Sequence, residues 1–284
     1  MGNLKYCRPS DLIKTAVITT DSAFSDDPEY GSASMFDDIP AKPAKLGVGP
    51  LTITFDFLDS QRVDAVAMPN HNISGGGTIA TVQLNATAVW GAPTMSVALV
   101  AADDHLDGHR ASPWLDLTSR AGYSASGFRY MRLVFGTSDE PIKIGEFLVM
   151  SELREFSRWV QWNGVKGTNR RFLEAVETEY GVMRVHRRRI KSRFFSFDIK
   201  LDVDDWDDLN DLADDAGGLA KPFFVAADGG YEEDNGLLAR FTRESAARLE
   251  ASEEWYDSNL FNFAVEEVSR GLPFGEAVVE AACS

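Results

Sequence analysis

Residues 139–156 read DEPIKIGEFLVMSELREF and separate two halves of the chain that differ in composition. The half before this segment is rich in strand-like sequence, whereas the half after it holds one dense basic stretch and one dense acidic stretch. Ile142–Met150 is mostly apolar and reads as one strand, with Gly145 at a position typical of a bulge or a close backbone approach. The segment therefore predicts the end of a first domain, 1–152, and the start of a second, 153–284.

The composition favours a globular protein and argues against several kinds of partner. The chain has 284 residues, 44% of them hydrophobic, and a net charge of −16. This charge disfavours contact with nucleic acid and with anionic membranes. The sequence has no continuous run of about 18 apolar residues, so no membrane-spanning segment is predicted. The first residues do not have the pattern of a signal peptide. Cys7 and Cys283 are too few for a disulfide framework or a zinc site, and two unpaired thiols are favoured over one bridge.

The first half predicts a β-sandwich of the jelly-roll type, because short alternating strands are separated by irregular loops and helical signals are nearly absent. The strand-forming stretches before the 139–156 segment are LIKTAVITT, LTITFDF (51–57), RVDAVAM (62–68), TIATVQLNATAVW (78–90), MSVALVAA (95–102), PWLDLTSR (113–120) and GFRYMRLVFGT (127–137).

Three irregular stretches of this half admit two interpretations each. Residues 21–50 form a long loop, which either holds a ligand or wraps an edge strand. His71 lies in the turn PNHN and either binds a ligand or bonds nearby backbone. The loop 103–110, DDHLDGHR, holds potential metal ligands, but their spacing matches no standard metal motif and favours a solvated loop.

The strands LTITFDF, RVDAVAMPNHN, GFRYMRLVF and IKIGEFLVM together resemble the galactose-binding-like (discoidin-type) jelly rolls, especially those of tailed-phage structural proteins. Many members of this family bind sugars through loops at one end. The resemblance therefore implies a ligand site, for which the candidates are His71, Asn72, Trp90 and Trp114.

The second half combines a basic strand region with an acidic helix. The stretch 181–201 is strand-forming and rich in arginine, and the following DVDDWDDLNDLADDAGG predicts a helix near 204–216, with an aspartate N-cap and a glycine stop. An EF-hand is excluded because Asp207 stands where that loop needs glycine. A basic strand could contact nucleic acid, but complementary charges between subunits explain the pair better. The candidate interface residues are Arg184, Arg187, Arg188, Arg189, Asp205 and Asp208.

The order of elements in this half resembles the tube-like domain of tailed-phage distal-tail and minor tail proteins. The residues that carry the resemblance run from RVHRRRIKSRFF to FFVAADGG, followed by NLFNFAVEEV. The order of the two domains is reversed relative to the usual distal-tail protein. The resemblance implies a mainly β protein with one short helix, which forms a ring with other copies of itself at the tail tip. Its neighbours would be tail-tube and tail-tip proteins, and its location the virion tail, assembled in the host cytoplasm.

Three functions follow as hypotheses from these patterns. The first is a structural tail component whose β-sandwich projects outward and contacts host glycans. The second is a carbohydrate-binding adhesion module. The third, a glycosidase, would need a specific pair of carboxylates, and no pair stands out among the 44 acidic residues. We therefore expect no enzyme activity, no cofactor and no metal.

Overall fold

The structure is a computed structural model that describes residues 4–7, 12–27, 30–37, 42–73, 77–101, 113–156, 173–177, 183–187, 194–200, 203–215, 222–227, 236–241 and 260–267. This part of the chain is mainly β. Its helices are α1 (Leu12–Thr15), a 3-10 helix (Ser32–Met35) and α2 (Val203–Asp215). The helix predicted near 204–216 is α2.

The strands of the described residues are, in chain order, β1 (Leu4–Cys7), β2 (Val17–Thr20), β3 (Ala44–Lys45), β4 (Leu51–Gln61), β5 (Ala65–Ala67), β6 (Gly77–Asn85), β7 (Met95–Ala101), β8 (Trp114–Asp116), β9 (Phe128–Phe135), β10 (Lys143–Ile144), β11 (Leu148–Met150), β12 (Arg154–Glu155), β13 (Leu173–Glu177), β14 (Met183–Arg187), β15 (Phe194–Lys200), β16 (Phe223–Ala227), β17 (Gly236–Phe241) and β18 (Leu260–Glu267).

The first half is a β-sandwich, as the sequence predicts. One layer is a five-stranded antiparallel sheet with the order β2-β4-β9-β6-β7, and the strands β3, β5, β8, β10 and β11 form the opposite layer. In β4 the alternation of LTITFDF places Leu51, Ile53, Phe55 and Phe57 on the buried face and the residues between them outward. The main core lies between the two layers, where the rings of Phe55 and Phe147 stack with centroids 5.8 Å apart.

The three-stranded sheet β11-β5-β8 is buried on both faces. Val66 and Val149 point into the main core, whereas Ala65 and Ala67 point into a second core on the other side. The second core also contains Cys7, Trp114, Leu148, Met150, Phe224, Ala226 and Leu238. This sheet is therefore the middle of three layers, and the small alanine side chains let the third layer approach it closely.

The third layer is a six-stranded sheet with the order β12-β1-β16-β17-β18-β15. Its strand β1 comes from the very start of the chain and pairs with β16, with Leu4 opposite Ala227 and Cys7 opposite Phe224. The boundary between residues 152 and 153 stays a prediction, and the six-stranded sheet takes strands from both sides of it. The hairpin β13–β14 forms a separate two-stranded sheet.

The single strand predicted over Ile142–Met150 is wrong, because the chain forms two short strands, β10 and β11, on either side of Gly145–Phe147. The backbone N–H groups of this interruption bond outside the sheets: Gly145 donates to Asn70 O at 2.6 Å and Phe147 to Met35 O at 2.7 Å. The bulge signal of Gly145 therefore marks a full change of strand partner, from β3 to β5.

The described part of residues 21–50 covers the sandwich, which is the wrapping alternative. Met35 is fully buried in the main core, and Ala44 and Leu46 pack beside it. The Lys45 ammonium lies 3.2 Å from the centroid of the Tyr30 ring, a cation–π contact within the same segment. The loop 103–110 lies outside the described residues.

The carboxylate of Asp64 joins three separate segments. Asp64 is fully buried and accepts hydrogen bonds from Arg62 Nε at 2.7 Å, the Tyr123 hydroxyl at 2.7 Å and the Leu153 backbone N–H at 3.2 Å. Its own N–H donates to Met150 O at 2.7 Å. This single side chain therefore ties the start of β5 to the loop after β8 and to the connection that follows β11.

An ion pair joins the middle layer to the third layer. Lys5 Nζ of β1 donates to Asp116 Oδ2 of β8 at 2.6 Å, and both side chains are largely buried. Burial by itself raises the pKa of the Asp116 carboxyl, but hydrogen bonds from Lys5 and Thr118 outweigh it and hold the pKa below its usual value. Together with the second core, this pair holds the two layers at one relative orientation.

Cys7 lies in the second core, 3% exposed, and burial raises the pKa of its thiol to about 12. In a Cys283→Ser variant, Cys7 is the sole thiol, and we expect iodoacetamide at pH 8 to alkylate it about a thousandfold more slowly than an exposed cysteine, because so little thiolate forms.

The stability that the protonated thiol contributes is fully present below pH 9 and is lost as the pH rises through about 12.

The rate is measured by mass spectrometry of the intact Cys283→Ser protein, with the same protein in urea as the control for ordinary thiol reactivity. Fast alkylation under native conditions would place Cys7 at the surface and contradict the second core. Cys283 lies outside the described residues.

Candidate functional site

A row of polar side chains crosses the outer face of the five-stranded sheet. Strand register places Thr19 of β2 beside Thr54 of β4, Thr54 beside Arg132 of β9, Arg132 beside Gln83 of β6, and Gln83 beside Ser96 of β7. The residues that flank each of these along the strands point into the main core or lie partly covered, so the row faces outward. We call these five residues the polar row.

Arg132 and Gln83 are bonded to each other at the centre of the polar row. Both Nε and Nη2 of Arg132 donate to Gln83 Oε1, the first at 2.9 Å. Gln83 Nε2 in turn donates to Ser96 Oγ at 3.3 Å. These bonds fix the planes of the guanidinium and the amide. Two planar polar groups are therefore held in fixed orientations on the sheet face, where a ligand can reach them.

Trp90 lies against the polar row because β6 ends earlier than the sequence predicts. The strand predicted over 78–90 stops at Asn85, whose side chain donates to Val89 O and accepts a bond from Thr94 Oγ1 at 2.8 Å. The chain then turns back, and the Trp90 ring lies 4.4 Å from the Arg132 guanidinium carbon. The half-buried indole and the guanidinium form a cation–π pair at the rim of the row.

The two arginines of β9 differ in their partners. Arg129 donates to both carboxylate oxygens of Asp56, at 2.9 and 3.0 Å, and holds the pKa of that carboxyl below its usual value. Arg132 bonds only a neutral amide, and of the described residues no carboxylate forms an ion pair with it. Burial lowers the pKa of the Arg132 guanidinium, and Asp21 acts in the opposite direction.

His71 and Asn72 serve the fold in this structure. His71 is 2% exposed and forms an isolated bridge with Ile144. The Asn72 side chain donates to Pro141 O at 2.8 Å and accepts from Lys143 N at 2.7 Å, so it holds the chain just before β10. Whether the His71 side chain binds a ligand or bonds nearby backbone stays a prediction, as does a ligand role for Asn72.

Trp114 and Trp90 lie in different layers. Trp114 is 6% exposed in the second core, with its ring 5.9 Å from that of Phe224 and 6.0 Å from Lys5 Nζ. The structure therefore does not gather the four candidate ligand residues into one place, and Trp90 is the one that lies beside the polar row. The sequence patterns described above do not predict the polar row beside Trp90, although the alternation of GFRYMRLVF places Arg132 away from the core.

The candidate interface residues are only partly described. Arg184 and Arg187 lie in β14, opposite Val176 and Leu173, and Arg188 and Arg189 lie outside the described residues. Asp205 lies in α2.

Asp208 has a partner within its own chain that sequence reasoning missed. Arg154 Nη1 of β12 donates to Asp208 Oδ1 at 2.7 Å. This contact fastens the acidic helix to the connection after β11, while the role of these residues between subunits stays a prediction.

Within the described ranges, no group of three or more His, Cys, Asp or Glu side chains is placed to hold a metal ion. No helix in the same part of the chain has the length and apolar character needed to cross a membrane.

No protein-family model and no curated protein matches this chain. Among solved structures it is similar to a chitosan-binding module from a chitosanase/glucanase of Paenibacillus sp. IK-5, with 18% identity over 49% of this chain and 96% of that one and a TM-score of 0.32. It is also similar to the module CpGH89CBM32-6 produced by Clostridium perfringens, with 16% identity over 51% of this chain and 100% of that one and a TM-score of 0.33.

The lectin domain of lectinolysin, solved with Lewis B antigen, is a third similar structure, with 12% identity over 51% of this chain and 99% of that one and a TM-score of 0.35. These structural neighbours are carbohydrate-binding modules. Because the TM-scores are low, function is inferred below from this chain's own side chains.

Proposed function

We propose that the chain binds a carbohydrate on the outer face of the five-stranded sheet, at Trp90 and the polar row. The observation that carries this proposal is the fixed unit of Trp90, Arg132 and Gln83 on an outward sheet face. Sugars present apolar C–H faces that pack on aromatic rings and hydroxyl groups that both donate and accept hydrogen bonds. An indole beside a fixed amide and guanidinium supplies a partner for each of these features.

The hydroxyl side chains of the polar row extend this surface on both sides. Thr19 and Thr54 lie on one side of Arg132, and Ser96 lies beyond Gln83 on the other. Since strands of a sheet are about 4.8 Å apart, five strands present polar groups over roughly 19 Å. A surface of this length suits a short oligosaccharide better than a single sugar ring.

The proposed role is binding without hydrolysis. A glycosidase needs two carboxylates about 5–10 Å apart across the scissile bond. The polar row itself contains no carboxylate. Of the two nearby carboxylates, Asp56 accepts two hydrogen bonds from Arg129, and Asp21 accepts one from the Thr52 backbone N–H. We therefore expect no release of reducing sugar from any glycan that the protein binds.

The proposal is tested by replacing Trp90 with alanine in the full chain. On an array of neutral and acidic glycans, followed by titration calorimetry on the best ligand, we expect the affinity to fall at least about tenfold, or about 1.4 kcal/mol, because the stacking surface is removed. Val89→Ala is the matched control, since Val89 is the neighbouring residue and its side chain is 67% exposed. Retention of full affinity by Trp90→Ala, or a wild-type protein that no glycan on the array binds, would overturn the proposal.

We also propose a structural role for the chain in the tail of a bacteriophage, at the tail tip, where the sandwich would display its glycan surface outward. The observation that favours this role is the packed contact between the sandwich and the six-stranded sheet, made by the second core and by the Lys5–Asp116 ion pair. The resemblance of the second half to tail-tube domains supports it. Its partners would then be other copies in a ring, the neighbouring tail-tube and tail-tip proteins, and host glycans.

The tail role is tested by the mass of the purified protein in solution and by negative-stain electron microscopy. Closed rings are expected, alone or on addition of tail-tube protein, and the assembled form is expected in virions purified from the host cytoplasm. A protein that stays monomeric under all of these conditions would exclude this role and leave the glycan proposal standing.

A further inference from the structure

We infer that the sugar bound at Trp90 and the polar row carries a carboxylate, and that Arg132 is the residue that selects it. This inference rests on the proposed carbohydrate-binding function and goes one step further, since it names the chemical class of the ligand. Hexuronic and sialic acids share this chemistry.

The first argument is the hydrogen-bond partner of Arg132. Three other arginines, Arg62, Arg129 and Arg154, each lie within 2.9 Å of a carboxylate oxygen. Arg132 instead bonds the neutral Gln83 amide, and in the part of the chain that the structure describes no carboxylate is hydrogen-bonded to it. Its positive charge on the outward sheet face therefore stays available for direct contact with an anionic group of a ligand.

The second argument is the geometry of the free edge of Arg132. A guanidinium carries five N–H donors, and here Nε and one N–H of Nη2 converge on Gln83 Oε1. The described residues provide no acceptor for Nη1, so the Nη1–Nη2 edge keeps two parallel N–H groups. That edge has the spacing that binds a carboxylate through two hydrogen bonds.

The third argument is the environment of the guanidinium. The Trp90 ring at 4.4 Å and the sheet surface partly remove Arg132 from water, and burial accordingly lowers the pKa of the group. A partly desolvated cation gains more from an anion than an exposed one does. The same indole that packs on the sugar ring would therefore strengthen the bond between Arg132 and the carboxylate of that sugar.

The acidic character of the chain limits which anions can bind. Asp21 lies close enough to act on the pKa of Arg132, and Asp56 lies one outward position further along β4 than Thr54. A dense polyanion such as a nucleic acid would be repelled by these groups and by the net charge. One carboxylate per sugar, bound at one arginine, avoids most of this repulsion.

The experiment compares acidic glycans with the same glycans after their carboxyl groups are reduced to alcohols. Polygalacturonate, alginate and sialyllactose are titrated into the full-length protein, each beside its carboxyl-reduced form. We expect at least one acidic form to bind about tenfold more tightly than its reduced form. This preference should shrink as the salt concentration is raised from about 50 to about 500 mM, because salt screens the attraction between the guanidinium and the carboxylate.

Three variants assign the preference to its residue. Arg132→Gln is expected to lose the preference while it still binds the reduced glycan, and Arg132→Lys is expected to keep only part of it, because an ammonium lacks the two-pronged edge. Arg129→Gln is the matched control: it removes the same charge from the same strand, but Arg129 already has Asp56 as its partner, so the preference should remain. Urea unfolding of each variant shows whether the fold is intact.

The outcomes separate the two proposals. Equal affinity of the wild-type protein for acidic and reduced glycans would overturn the inference and leave the carbohydrate-binding function intact. A preference that survives in Arg132→Gln would overturn the role of Arg132. Failure of every glycan, acidic or reduced, to bind would overturn the proposed function and this inference together.

Discussion

Replacing Trp114 with alanine is expected to lower the free energy of unfolding by about 3–5 kcal/mol, the usual cost of removing a large buried aromatic side chain. Trp114 is 6% exposed and packs against Phe224 of the six-stranded sheet, so its loss leaves a cavity between the middle and third layers. Urea unfolding followed by circular dichroism measures the change without depending on the fluorescence of the deleted indole.

Two control variants make the Trp114 result specific. Trp114→Phe is expected to cost much less, since the smaller ring still fills most of the site. No hydrogen bond is lost either, because none of the described residues accepts one from the buried Trp114 Nε1. Trp90→Ala is expected to change stability by less than about 1 kcal/mol, since surface substitutions are usually mild. An unchanged unfolding midpoint for Trp114→Ala would show that this side chain does not lie between the two sheets.

The second large effect is expected from Asp64→Ala, with a loss of about 2–4 kcal/mol in the free energy of unfolding. The alanine would leave the Leu153 N–H and the Tyr123 hydroxyl without their acceptor, and would remove the partner of Arg62. Three segments that meet at one carboxylate would then be held only by their remaining contacts. Chemical denaturation in urea, at equal protein concentration, measures the loss.

Asp64→Asn and Asp59→Ala complete this experiment. The asparagine has nearly the same volume and keeps one acceptor oxygen, so an intermediate loss is expected. Asp59 is an exposed aspartate near the end of β4, and its replacement is expected to change stability by less than about 0.5 kcal/mol. If Asp64→Ala were as mild as Asp59→Ala, the network around Asp64 would contribute little to the fold.

The local elements could be predicted because their signals lie within a few residues. The alternation of LTITFDF defines β4, and the aspartate-rich stretch with its glycine stop defines α2. The break at Gly145 shows the limit of such signals. Gly145 predicts an irregularity in the strand. The carbonyl groups that accept hydrogen bonds from this irregular segment, Asn70 O and Met35 O, lie far away in the sequence.

The candidate site could be predicted only in part, for the same reason. Alternation places Arg132 outward, but its bond to Gln83 depends on the register between β9 and β6. That register could not be predicted from a single sequence. Trp90 ends one predicted strand stretch and Trp114 lies at the start of another, and neither pattern shows whether its indole is covered. The third layer distinguishes them, because it covers Trp114 and leaves Trp90 outside.

The strand β1 ties the six-stranded sheet to a part of the chain that is synthesised much later. Leu4–Cys7 is made long before its neighbour β16, Phe223–Ala227. A nascent chain therefore emerges with one edge of β1 unpaired, because β12 on the other edge is made well before β16. The sandwich can then form before the six-stranded sheet closes. Contacts of such long sequence separation raise the contact order and slow folding, so the final docking of β1 is where a chaperone would have most time to act.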